Sequence, residues 1–74
     1  MTSSEVLTEQ ALSLASAGAG EDAVRELLTV SGERRVAVVR ARQSLLARSA
    51  EQAGDPTTTQ AVELLDAVLT RLPV

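Results

Sequence analysis

Seven arginines carry all the side-chain positive charge of this 74-residue chain, which contains no lysine and no histidine. Five of them, Arg34, Arg35, Arg40, Arg42 and Arg48, lie in a stretch from 34 to 48 that holds no acid. That segment carries +5, while two arginines and ten acids leave −8 on the rest and −3 overall. A guanidinium is planar, permanently charged and able to grip a carboxylate with two parallel hydrogen bonds. The chemistry these residues suit is recognition of an anionic surface. They are taken as the candidate partner-binding set.

Bond-making chemistry has little to work with. Histidine, cysteine and lysine, which supply most bases, nucleophiles and imine-forming groups, are all absent. The many serines and threonines therefore lack a partner for a triad or dyad. Glu5 with Glu9 and Glu63 with Asp66 are carboxylate pairs at helical spacing, and they read as solvated polar faces. No Cys- or His-based metal site can form, and no loop alternates oxygen ligands as a calcium site does. Gly18-Ala19-Gly20 precedes a helix, but Glu21 and Asp22 at its start would repel a phosphate. A non-enzymatic chain with no cofactor and no metal is expected.

Four helices must position the arginines. The first is expected over residues 3–17, with Thr2 and Glu5 spaced as a capping box and Leu7, Ala11, Leu14 and Ala15 along one side. Gly18 and Gly20 end it. A short second helix over 21–30 has acids in its first turn and ends at Ser31-Gly32. The third spans 33–53 and Gly54 closes it. The fourth spans 56–71, opened by Asp55 as N-cap and Pro56 as first helical residue. Ala61, Val62, Leu64, Leu65, Val68, Leu69 and Leu72 make its apolar stripe, with Glu63, Asp66, Thr59 and Thr70 opposite. Arg35-Val36-Ala37-Val38-Val39 could form a short strand by its β-branched content, but nothing else in the chain offers a strand to pair with it.

On a helical wheel the third helix places Val38, Val39, Leu45, Leu46, Ala50 and Ala53 in one apolar arc. Arg42 falls near its middle and Arg35 close by. Such an arginine must reach out to water, meet an acid on a neighbouring helix, or face another chain. The first two outcomes make the arginines structural, and the third makes them an interface.

The apolar set is leucine, valine and alanine with one methionine and no aromatic ring. A core built from it is thin, and association that buries a further apolar face would stabilise the fold. The expected class is all-α: a single domain over 1–74, a small three-to-four-helix bundle or helical hairpin assembly completed by oligomerisation. No apolar run approaches the ~18 residues of a membrane span, and no secretory leader precedes the first helix, so a cytoplasmic setting is expected. The expected function is that of a small interaction protein (adaptor, regulatory or accessory subunit) acting through a homo-oligomer or a helical or acidic protein partner. The alternative is a nucleic-acid-binding regulator using the third helix, against which stand the net acidity and the lack of aromatic rings to stack on bases. From the wheel, Arg42→Glu should weaken association more than Arg48→Glu, as measured by titration; equal affinities would remove Arg42 from the interface.

Overall fold

Four helices account for most of the computed structural model, which describes residues 3–18, 20–32, 34–52 and 54–72. They are α1 (Ser3–Ser16), α2 (Glu21–Ser31), α3 (Arg35–Glu51) and α4 (Pro56–Arg71). The class is all-α, and residues 35–39 are helical rather than extended. α3 and α4 share the most extensive contact, α1 packs on both, and α2 lies against α1 and α4 while barely touching α3.

The breaks follow backbone chemistry. Gly32 caps α2 in the left-handed region at φ 58°, where its N–H bonds the Thr29 carbonyl at 3.3 Å. A side chain at that position would strain the backbone. Asp55 opens α4 in an extended conformation, and its carboxylate accepts from the Thr57 N–H at 3.1 Å and the Thr58 hydroxyl at 2.7 Å. Pro56 follows where its missing N–H costs nothing. The four-residue connection from 52 to 55 turns the chain back, so α3 and α4 form an antiparallel hairpin.

The interior is assembled from one fully buried leucine per helix: Leu7, Leu27, Leu45 and Leu65. Each has a fully buried alanine four positions away, namely Ala11, Ala23, Ala41 and Ala61. Residues four apart share a helix face, so each helix presents one large and one minimal side chain inward. Val38 and Val68 add volume at the α3–α4 contact. Burying each leucine contributes about 1.5–3 kcal/mol. The buried polar groups are matched: Thr8 donates to the Ser4 carbonyl, Ser31 to the Leu28 carbonyl and Thr58 to Asp55. Among the described residues no buried side-chain nitrogen or oxygen lacks a partner.

Several expectations need correction. α1 ends at Ser16 rather than 17, and α2 extends through Ser31, whose hydroxyl bonds back into the last turn. α3 is narrower than 33–53; Glu33 and Ala53 lie outside the described residues, as does Thr2 of the expected capping box. The inward face of α3 is Val38, Ala41 and Leu45, while Leu46 and Ala50 are exposed and Val39 is half-buried. Val38 and Leu45 of the expected arc are buried, and Ala41 joins them in place of Leu46 and Ala50. On α4, Asp66 is half-buried rather than on the solvent side, and Thr58 joins the core.

The Thr58 hydroxyl above all, helped by the Thr57 and Thr58 backbone N–H groups and the Arg48 charge, holds the Asp55 carboxyl below its ordinary 3.8. A carboxyl depressed in the folded state stabilises it above the ordinary value and loses that contribution as pH falls through the depressed one. Asp55→Ala should therefore lower the melting temperature at pH 7. The difference from wild type should shrink as pH drops from about 4 toward 2. A pH-independent difference in thermal melts would show that the cap acts through packing alone.

Candidate protein-interaction surface

The structure divides the five arginines into three groups. Arg34 occupies the N-cap position of α3, Arg35 opens the helix and Arg40 follows about 7.5 Å further along the axis. All three are exposed. With Ser3 and Ser4 of α1, and with Val36 and Ala37, they line one surface groove of about 440 Å³. The Arg34 guanidinium donates to the Ser3 hydroxyl at 3.0 Å, which ties the α1 start to the α3 start. Val36 lies among these cations 67% exposed, the most solvent-accessible of the large apolar side chains described.

Electrostatically this end of α3 is unfavourable by itself. The first turn of a helix carries the positive end of its dipole and favours acids. α3 has none there and places arginines instead. Among the described residues no carboxylate forms an ion pair with Arg34, Arg35 or Arg40. Among the described residues this end of α3 therefore departs from the local preference for acids, around an exposed valine.

Arg42 lies on another side of α3, where its Nε donates to Asp66 of α4. The two side chains are 36% and 50% exposed, so solvent screens the pair and its contribution to stability is about 1 kcal/mol at most. Arg48, near the far end of α3, is exposed along a separate groove that also holds Glu5 and Glu9 of α1. Its charge also reaches Asp55. The structure thus brings Arg34, Arg35 and Arg40 together, commits Arg42 to an acid within the chain, and sets Arg48 among carboxylates.

The other candidates for chemistry come apart. Asp66 is held by Arg42 while Glu63 is exposed, so these two carboxylates do not work as a pair. Glu21, at the start of α2, is gripped by Arg71 through contacts of 2.8 and 2.9 Å, linking the start of α2 to the end of α4. No group of three potential metal ligands clusters among the described residues. No helix among them is long and apolar enough to cross a membrane.

Sequence reasoning missed Val36, Ser3, Ser4 and the Arg42 partner. The exposed valine could have been noticed from its place one residue after Arg35 and four before Arg40. Asp66 was legible only through hairpin register, since 42 and 66 are nearly equidistant from the turn at 52–55. Comparison of the chain with protein families, with characterised proteins and with solved structures finds no match.

Proposed function

We propose that this chain is a non-enzymatic interaction protein, an adaptor or accessory subunit of the cytoplasm, that captures an acidic protein segment at the N-terminal end of α3. The supporting observation is the groove in which Arg34, Arg35 and Arg40 surround the exposed Val36. Its arginines suit carboxylates, and Val36 with Ala37 suits one apolar side chain of the bound segment. That combination selects an amphipathic acidic peptide over a uniform polyanion, because a phosphate backbone makes no use of the valine. Three arginines also give a small footprint for a duplex, and the chain has no aromatic ring to stack on a base.

A fluorescent peptide of alternating glutamate and leucine, titrated by anisotropy, should bind wild type. It should bind the Arg35→Glu/Arg40→Glu variant at least tenfold more weakly. Arg48→Glu should change its affinity by less than about twofold. Duplex DNA serves as competitor: three phosphate contacts would give a log K versus log salt slope of about −2.7. Displacement of the peptide by DNA with that slope, or equal binding of the peptide to wild type and the double variant, would overturn the acidic-peptide reading.

A further inference from the structure

A second surface, on the outer side of the α3–α4 hairpin, carries a self-complementary pattern. The Arg42–Asp66 contact fixes the register of the two antiparallel helices. Four residues further on α3 and four back on α4 set Leu46 level with Val62. Three residues the other way set Val39 level with Leu69. Leu46 is 42% exposed, and Val39, Val62 and Leu69 are each only half-buried. The face therefore reads as three rungs, apolar, ionic and apolar, with its apolar side chains incompletely covered.

We propose that a second copy of this chain covers that face, related by a two-fold axis parallel to α3 and α4 and lying between the copies. This rotation keeps every rung at its own height and places α3 of each copy over α4 of the other. Arg42 then stands opposite Asp66 of the second copy as well as beside its own Asp66. The middle layer becomes a closed square of alternating charges, and the layers above and below it become apolar quartets. An axis running across the helices would instead set Arg42 over Arg42, so charge selects the parallel axis. A copy of the same chain supplies the required acid at the required height, and any other partner would have to reproduce that pattern.

The size of the face is adequate for a modest affinity. The 16 residues of α4 make it ~24 Å long, and two helices make it ~20 Å wide. Two copies would bury about 1,000 Å², below the size of stable interfaces and within that of weak, transient association. The chain has reason to use it, because its aromatic-free core gains from each additional apolar group buried. The parallel axis also brings both α3 N-terminal grooves to the same end of the pair. If both are occupied by linked acidic segments, binding is bivalent. The self-association itself stands independently of the acidic-partner reading, since it concerns other residues and is measured with no partner present.

Sedimentation equilibrium of the full chain should show the mass rising with concentration from one to two copies of 7.7 kDa. The midpoint should fall between about 1 μM and 1 mM. Leu46→Glu, which changes a side chain already in contact with solvent, should remain helical by circular dichroism and stay monomeric. The Arg42→Glu chain and the Asp66→Arg chain should each associate at least tenfold more weakly than wild type. An equimolar mixture of the two should recover a dimer, because each then meets opposite charges across the axis. Wild type monomeric at about 1 mM, an unchanged midpoint for Leu46→Glu, or no recovery on mixing the two folded charge variants would overturn the proposal.

Discussion

Close approach of the helices at four alanines is the constraint on which this fold depends. With no aromatic side chain available, the interior cannot be filled by a few large groups. Ala11, Ala23, Ala41 and Ala61 are fully buried beside one fully buried leucine per helix, and so small a side chain at each lets neighbouring helices come close. Packing of this kind gains dispersion contacts only while the helices stay close, because a gap of less than an ångström forfeits much of the attraction. The caps serve the same end. Asp55 and Gly32 set where α4 begins and α2 stops, and so set which turn of each helix brings its alanine inward.

Charge is then distributed where the core does not need it. The polar groups that are buried are hydroxyls bonded to nearby carbonyls or to Asp55, and every arginine remains wholly or partly in contact with solvent. Among the described residues the ion pairs Arg42 with Asp66 and Arg71 with Glu21 both involve α4 and both join helices that already pack together. They align helices more than they stabilise them. Among the described residues no acid pairs with the start of α3, where arginines sit at the positive end of a helix dipole. A chain selected for stability alone would place acids there.

The elements were readable because their ends are written in residues with special backbone chemistry. Asp55-Pro56 and Gly32 mark boundaries that the structure keeps, and of the expected α4 stripe Ala61, Leu65, Val68 and Leu72 are buried while Val62, Leu64 and Leu69 are half-buried. The rotation of α3 was not readable in the same way. Both Val38-Ala41-Leu45 and Val39-Leu46-Ala50 are apolar at helical spacing. Each set holds one valine, one alanine and one leucine, so composition does not separate them, and the structure buries the first. The site was half legible for a related reason. Concentration of arginine on one segment is visible in composition, but its division between a free groove and the Asp66 contact depends on hairpin register. That register becomes visible only once both helix ends are placed.

The fold depends on tight alanine contacts, and Ala41→Leu examined by urea unfolding tests this directly. A close-packed helix crossing cannot accept three extra carbon atoms without moving apart, so the variant should lose about 1–3 kcal/mol of unfolding free energy. Unchanged or increased stability would mean that the space beside Ala41 is open. The interior would then be held by loosely fitted leucines rather than by contact between the helices themselves.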